Sequence, residues 1–339
     1  MRYGKIIDCM NSENYQVIQK PKIIQAFVNG FNTTANHIYL LLFPILIDLF
    51  LWFGPHFGLK TVITNSLRSF TDLYSFPDPA SQSFLENFNV TVRQFAERFN
   101  LSSLIRTIPV GIPSLIARLF PISNPIGLPI RFELDSLGSI GLVGIIFLLF
   151  GLVLGSLFFQ QTARSVLTDL KKGTFKDFYR SVLQVLLFPV IALLFILILS
   201  IPLSLIISLL SLLSPMLGQV GLLFFMVILT WIIIPLFFTP HSVFLYKQSL
   251  IPSMLTSISI VRYSLPGSAL FLMAVVILSE GMNILWQSPP EDSWMLLVGI
   301  VGHAFISTAT LNATYHYFLD ATKYTQTLMQ KLTKKEIIS

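Results

Sequence analysis

Apolar residues fill one long part of the chain without a single charge. Residues 181–246, 66 positions in all, contain no Asp, Glu, Lys or Arg. A helix rises about 1.5 Å per residue and a bilayer core is about 30 Å thick, so one crossing takes roughly 20 residues. The stretch is long enough for two crossings, and Pro215 and Gly218 mark the turn between them. The pattern therefore predicts a helical hairpin in a membrane.

Four more apolar segments predict further crossings. The six predicted crossings are residues 37–54, 137–159, 188–213, 220–244, 267–286 and 294–318. Pro202 should kink the third crossing and Pro235 the fourth. The expected fold is an all-α integral membrane protein with six transmembrane helices and a small helical extracytoplasmic insertion between the first and the second. Its parts are a cytoplasmic N-terminal segment (1–36), the first transmembrane helix (37–54), the insertion (55–137), a five-helix transmembrane region (138–318) and a cytoplasmic tail (319–339).

The insertion over residues 55–137 is the one long part without a crossing. It is nearly neutral, with seven basic and six acidic residues. Helical spacing of apolar residues predicts helices over 62–74 and 81–99. Prolines then enclose residues 114–120, a short apolar helix expected to lie in the membrane interface. Strand alternation is absent, so we expect a small helical domain on the extracytoplasmic side.

Composition and charge agree with a membrane protein in the cell membrane. Only 11% of the residues are charged, against about 25% in a soluble domain. With both termini cytoplasmic, the inner segments hold 15 Lys and Arg residues and the two short outer turns hold none, as the positive-inside rule requires. The net charge of +6 is thereby explained without nucleic acid. The lipid bilayer is the expected partner, with other membrane subunits as further candidates, and the single cysteine, Cys9, excludes an internal disulfide.

Short amphipathic pieces precede three of the crossings, over residues 20–36, 174–186 and 250–266. The last contains the sequence LIPSMLTSISIVRYS at positions 250–264 and runs straight into an apolar crossing. This pattern resembles six-helix bacterial membrane proteins akin to the glycerophosphodiester phosphodiesterase membrane domain. The resemblance implies short cytoplasmic helices before the crossings, and it assigns no functional residue.

Ionisable residues inside a crossing are costly, so each is a functional candidate, and three of them stand out in the interior of predicted crossings. They are Asp48, Glu280 and His303. At about 1.5 Å per residue, they lie roughly 9, 9 and 13 Å below the outer boundary of their helices. Three separate helices thus place a titratable group at nearly the same level, which predicts a polar cluster.

Polar neighbours extend this predicted cluster. Asn283 falls on the face of Glu280, and Ser307 and Thr310 follow His303 along one stripe of the sixth crossing. Carboxylates near an imidazole can relay protons, bind a cation or coordinate a metal. The alternative is a hydrogen-bonded cluster that fixes helix packing, and the sequence leaves these interpretations open.

Three glycines of the second crossing share one helical face: Gly144, Gly151 and Gly155. The last two form a GxxxG spacing, which permits the close approach of another helix. Packing within the chain and a contact between two copies are both compatible with the pattern, and packing within the chain is the favoured interpretation.

The function predicted from these features is non-enzymatic. The sequence lacks HExxH, GxSxG, P-loop and GxGxxG motifs, so metalloprotease, serine hydrolase and nucleotide-driven activities lack their required residues. We expect no cofactor, and a role as a scaffold, assembly partner or subunit of a membrane complex. The alternative is a secondary transporter or channel for an ion or small solute that uses the carboxylate and histidine cluster. An intramembrane enzyme acting on lipids comes third.

Overall fold

The computed structural model describes residues 19–73, 79–167 and 174–338 of the chain. Residues 1–18, with Cys9, and the basic pair Lys171 and Lys172 lie outside the described residues. The corresponding parts of the predicted N-terminal and basic cytoplasmic segments therefore stay predictions.

Helices form most of the described chain. In chain order they are α1 (Ile23–Asn36), α2 (Leu42–Phe53), α3 (Lys60–Leu73), α4 (Pro79–Arg98), α5 (Ile116–Leu119), α6 (Leu137–Val166), α7 (Phe175–Leu213), α8 (Pro215–Ile233), α9 (Thr239–Tyr246), α10 (Leu250–Tyr263), α11 (Leu265–Trp286) and α12 (Leu296–Ile338). Short 3-10 helices cover Ile38–Leu41, Leu101–Ile105 and Ile234–Leu236.

Five of the described helices are long and apolar enough to cross a membrane. They are α6, α7, α8 with its continuation to Tyr246, α11, and α12 as far as Leu332. The segments Ile23–Asn36 and Ile38–Phe53 pass the same test together and are bent by 90° at their junction. The described helices therefore agree in length and composition with a helical membrane protein. The sixth crossing stays a prediction, because it depends on this bent pair.

Helix α1 packs against α12 through small residues. Its buried positions are Ala26, Gly30 and Thr34, which recur every four residues and so lie on one face. A Cβ atom on Gly30 would lie 2.5 Å from the backbone nitrogen of Ala313 and 2.6 Å from the backbone oxygen of Ala309. The two backbones therefore touch, and the amphipathic N-terminal piece is used for packing inside the protein.

A buried hydrogen-bond network strengthens this contact and joins a third helix to it. The Asn312 side chain on α12 donates to the hydroxyl of Thr34 at 2.8 Å. Its amide oxygen accepts a hydrogen bond from Ser165 on α6 at 3.2 Å. Because these groups are buried, each bond removes the cost of an unsatisfied polar atom. Helices α1, α6 and α12 are held together at this point.

The predicted hairpin is formed by α7 and α8, with one difference from the prediction. Helix α7 is continuous from Phe175, whereas an amphipathic piece over 174–186 followed by a separate crossing was expected. No Gly lies between residues 175 and 188, and the capping box of Thr174 and Asp177 starts the helix before the crossing. At Pro235, where a kink was predicted, the α-helix changes to a 3-10 helix over Ile234–Leu236.

The outer part of this hairpin stands apart from the rest of the protein. In the most apolar 18-residue window of Phe175–Leu213, and likewise of Pro215–Tyr246, no residue is buried. The corresponding window of the last long helix is 56% buried. Residues that anchor the hairpin lie at its base, where Ser181, Val185 and Phe188 are buried. The hairpin helices therefore pack mainly on each other.

The last helix runs far past its predicted end. We expected a crossing that stops at residue 318 and a separate tail over 319–339, but α12 continues to Ile338. Residues 319–338 contain neither Gly nor Pro, so no local signal ends the helix there. Ala321, Thr322 and Thr325 are still buried, which shows that the start of this extension packs on the protein.

The insertion contains the two predicted helices, α3 and α4, and also a pair of short strands that was not predicted. Strand β1 (His56–Gly58) pairs in parallel with β2 (Arg131–Glu133), with His56 opposite Arg131. Strands of three residues are too short to produce visible alternation in the sequence. The pairing brings the two ends of the insertion together.

Residues 101–119 of the insertion pack in the main core, and they include most of the segment 114–120 that was expected to lie in the membrane interface. The buried residues here are Leu101, Ile105, Val110, Ile112, Leu115 and Ile116. A Cβ atom on Gly151 would lie 2.1 Å from the carbonyl oxygen of Ile105, and one on Gly155 would lie 2.8 Å from the Cα atom of Gly111. Gly144 faces Leu104 at an ordinary 3.4 Å. The glycine face of α6 thus packs within the chain, as favoured, against the short 3-10 helix Leu101–Ile105 and the irregular residues that follow it.

This contact predicts different results for the same substitution at two glycines of α6. Gly151→Ala should lower the free energy of unfolding by about 1–3 kcal/mol, because its methyl group overlaps the Ile105 carbonyl. Gly141→Ala is the control, since a Cβ there meets nothing within 4 Å. It should leave stability unchanged or raise it by up to about 1 kcal/mol. Thermal unfolding in lipid nanodiscs measures both, and an equal response of the two variants would contradict the packing.

Candidate functional site

The candidate site is built around the short helix α5. The first amide groups of this helix donate to a buried carboxylate from another helix. Asp48 on α2 is completely buried. It accepts hydrogen bonds from the Ser114 hydroxyl at 2.5 Å, from the Leu115 amide at 3.2 Å and from the Ile116 amide at 3.0 Å. Amide groups in the first turn of a helix have no partner within the helix, and Asp48 supplies one. A negative charge is also favourable at this end of a helix.

The other end of α5 carries the second charged contact. The two terminal nitrogens of Arg118 donate to the two carboxylate oxygens of Glu280 on α11, each at 2.6 Å. This two-point geometry makes a strong ion pair. The hydrogen bond to Glu280 raises the pKa of Arg118, so the guanidinium stays charged. Helix α5 is thereby attached to α2 at one end and to α11 at the other.

Asn283 and His303 continue the contacts from Glu280. The Asn283 amide donates to Glu280 at 3.5 Å, and its oxygen lies 2.8 Å from Nδ1 of His303 on α12. An amide oxygen only accepts, so Nδ1 of His303 carries the proton and Nε2 is an acceptor. Nε2 is buried and has no partner among the described residues. The imidazole is therefore oriented by Asn283 and keeps one unused nitrogen.

The structure brings together four of the six residues named for the predicted cluster, and α5 is the element that joins them. Glu280, Asn283 and His303 are linked directly, and Asp48 joins them through the helix that carries Arg118. Ser307 and Thr310 are not part of the network. Their hydroxyls donate to carbonyl groups of their own helix, at 2.6 Å in both cases.

Two residues of the network were missed in the sequence, Ser114 and Arg118. A signal for each was present. Ser114 stands just before a short apolar run between prolines, which is where a helix-starting hydroxyl is expected. Arg118 is a lone cation inside that run and requires an anionic partner if the run is buried. The sequence alone could not tell that the partner is Glu280.

Arg106 lies beside this network without being bonded into it. Burial lowers the pKa of Arg106, and the neighbouring charge of Arg118 lowers it further. The carboxylates of Glu280 and Asp48 act in the opposite direction. Within the described part of the chain, the Arg106 guanidinium forms no hydrogen bond or ion pair. It is thus a charged group close to two carboxylates but paired with neither.

The geometry does not form a metal centre within the part of the chain that the structure describes. No three His, Cys, Asp or Glu side chains among residues 19–73, 79–167 and 174–338 lie together in a way that could hold a metal ion. A small pocket lies nearby, lined by residues such as Leu51, His56 and Ile116, and its lining includes none of the charged side chains of the network. Chemically, the network can orient helices, hold a fixed charge pair or pass a proton.

No protein-family profile, curated protein or solved structure matches this chain. The resemblance to proteins akin to the glycerophosphodiester phosphodiesterase membrane domain therefore stays a prediction. Function has to be inferred from the residues and their contacts.

The contacts of Asp48 predict a large loss of stability on its removal. Asp48→Ala leaves the Ser114 hydroxyl and two backbone amides buried without an acceptor, and should lower the free energy of unfolding by about 3–5 kcal/mol. Ser307→Ala is the control, because it removes a hydroxyl that bonds only to its own helix. Its effect should stay within about 0.5 kcal/mol. Chemical unfolding in mixed micelles compares the two, and equally small losses would contradict the role assigned to Asp48.

Proposed function

We propose that the protein is a non-enzymatic, multi-pass protein of the cell membrane that acts as a scaffold, assembly partner or subunit of a membrane complex. Both termini lie in the cytoplasm in this proposal. The distribution of 15 Lys and Arg residues on the inner segments and none on the two short outer turns supports that orientation. The 43-residue helix α12 then extends about 30 Å past residue 318 into the cytoplasm.

The hairpin of α7 and α8 is the single observation that carries the assembly role. Its exposed residues include Ile198 at 69%, Leu209 at 63%, Phe224 at 65% and Trp231 at 61%. Two helices that pack on each other leave their outer faces uncovered by the rest of the chain. In a membrane, association between helices depends on packing and hydrogen bonds, because lipid tails are as apolar as the side chains. Such faces are suited to contact the helices of another subunit.

The polar network supports the same role, because it holds parts of the bundle in fixed positions. It fixes residues 101–119 between α2, α6 and α11, and with them the insertion that ends in the paired strands. A rigid bundle of this kind can present both the hairpin and the helices α3 and α4 to other subunits. No step of this role requires a reacting group.

If the hairpin binds another subunit, alanine substitutions on its exposed face should reduce the size of the complex. Ile198→Ala combined with Phe224→Ala should reduce the size of the complex extracted from the native membrane, because both side chains lie on uncovered faces. Ile145→Ala is the control, as this α6 residue is also 59% exposed but belongs to the packed bundle. Native electrophoresis after mild extraction measures the size. A wild-type chain that is extracted as a single copy with no partner would refute the assembly role.

A transporter or channel for an ion or small solute is the second candidate. The observation that favours it is the series of bonded polar groups from Arg118 through Glu280 and Asn283 to His303, whose Nε2 is unused, with Asp48 at the other end of α5. Such groups inside apolar helices commonly mark a path for ions or protons.

Flux measurements separate the two candidates. If the network conducts protons or ions, Glu280→Gln should abolish pH-dependent flux in liposomes and leave the protein folded. Thr310→Ala is the matched control, since its hydroxyl bonds only to its own helix. Absence of flux in the wild-type protein, together with a lower unfolding temperature for Glu280→Gln, would leave the structural role in place and exclude transport.

A further inference from the structure

The second strand of the insertion carries a row of uncovered apolar side chains. The His56 amide donates to the carbonyl of Ile130 at 2.9 Å, so the paired, extended backbone begins before β2. Leu128 is also biased toward an extended conformation, because Pro129 follows it. Leu128, Ile130 and Phe132 are exposed by 83, 72 and 51%. Alternate side chains of an extended segment lie on the same side, so these three form one apolar surface, the strand face.

The opposite side of the same segment is polar and bound to the protein. Arg131 donates to the backbone carbonyl of Ala96 on α4 at 3.1 Å, and it pairs with Glu133 at 2.5 Å. Glu133 in turn accepts a hydrogen bond from the backbone amide of Lys60, the first residue of α3, at 3.1 Å. These polar contacts hold the segment on α3 and α4, and the strand face is turned away from them.

An aromatic contact connects the strand face with the membrane helix α6. The ring of Phe132 stacks on that of Phe57 in β1, with 5.6 Å between the ring centroids. The ring of Phe57 lies 5.4 Å from that of Phe147 on α6. Beside Phe147, the α6 residues Ile146 and Phe150 are exposed by 55 and 53%. The uncovered apolar surface of α6 therefore continues onto the strand face.

The contact with Phe147 also gives the level of the strand face in a membrane. In the proposed orientation, Arg164 in the last turn of α6 marks the inner boundary. A hydrocarbon core about 30 Å thick takes roughly 20 residues of helix, which places the outer boundary near Gly144. Phe147 follows Gly144 by a single helical turn. The strand face therefore lies at the outer edge of the hydrocarbon core, where the headgroups begin.

We propose that the strand face inserts into the outer leaflet of the bilayer and anchors the insertion to the membrane surface. Apolar side chains of such interfacial segments enter the boundary between headgroups and acyl chains to a depth of about 5–10 Å. The strand face carries no charge, whereas Arg131 and Glu133 lie on the opposite side. Acyl chains that cover Ile146 and Phe150 reach the strand face without a break, which favours lipid over a second protein as its partner.

This anchor rests on the crossing of the membrane by α6 and not on the assembly role of the hairpin. It also moves the interfacial part of the insertion along the chain. Residues 114–120 were expected in the interface and pack in the core, whereas residues 128–132 present their apolar side chains outward.

Fluorescence quenching in lipid nanodiscs tests the anchor. The full chain with Cys9→Ser receives one new cysteine, which is labelled with nitrobenzoxadiazole, and the nanodiscs contain only phosphatidylcholine. A label at Leu128→Cys should be quenched by nitroxides on the upper acyl chains and shielded from iodide in the water, at a depth of about 5–10 Å. Asp135→Cys is the matched control, because this exposed residue lies on the polar side of the same segment. Its label should respond to iodide and not to the lipid nitroxides.

Charged substitutions test whether the side chains themselves hold the segment in lipid. Leu128→Asp combined with Ile130→Asp should expose a label at Ile126→Cys to iodide, because carboxylates enter the apolar layer only at a high cost. Ile126 is 76% exposed and precedes the strand face directly. All three substituted side chains are uncovered by the chain, so the protein should stay folded. The same label without the two aspartates should be shielded from iodide, and equal iodide quenching in both proteins would contradict the anchor.

A label at Phe150→Cys separates failure of the anchor from failure of the proposed crossing. If lipid nitroxides quench the Phe150 label while the Leu128 label responds only to iodide, the anchor is wrong and the crossing of α6 stands. If lipid nitroxides quench neither label, both are wrong. Shielding of the Leu128 label in native membranes but not in lipid nanodiscs would assign the strand face to another protein, and it would likewise overturn the anchor.

Discussion

The buried carboxylate of Asp48 holds the centre of this protein in place. It is inaccessible to water, and three donors from residues 114–116 satisfy its oxygens. Without that acceptor, the start of a four-residue helix would leave amide groups unsatisfied in an apolar core, where each costs about 1–3 kcal/mol. Because Asp48 fixes the start of α5, it also fixes Arg118 at the end of α5. The position of the Glu280 ion pair follows from a contact made on a different helix.

Charges are tolerated in this apolar bundle because each has a defined partner or a way to the surface. Asp48 is paired with donors in the interior, whereas Arg118 and Glu280 pair near the outward face. His303 stays oriented through Asn283. Arg106 is the exception among the charged residues of this region, since the described structure gives it neighbours of both signs but no bonded partner.

The packed bundle and the hairpin respond to different physical constraints. In the bundle, small residues and buried polar groups permit close contacts, as at Gly30 against Ala313 and at Asn312 between Thr34 and Ser165. The hairpin has apolar side chains and a charge-free sequence, and it contacts the rest of the chain mainly at its base. The bundle therefore has specific internal contacts, whereas the outer surface of the hairpin is left uncovered by the rest of the described chain.

The sequence by itself determined the apolar helices, the turn at Pro215, the break at Pro235, the helices of the insertion and the presence of Asp48, Glu280 and His303 within apolar segments. Hydropathy, helix periodicity and proline are local signals, so they can be read along the chain. It missed the continuous course of α7, which runs through Pro189 and Pro202, and that of α12, where residues 319–338 contain neither Gly nor Pro. Only the tertiary structure decided that residues 101–119 enter the core and supply Ser114 and Arg118. Those two residues reach partners 66 and 162 positions away, and no local pattern encodes which distant side chain will meet a buried charge.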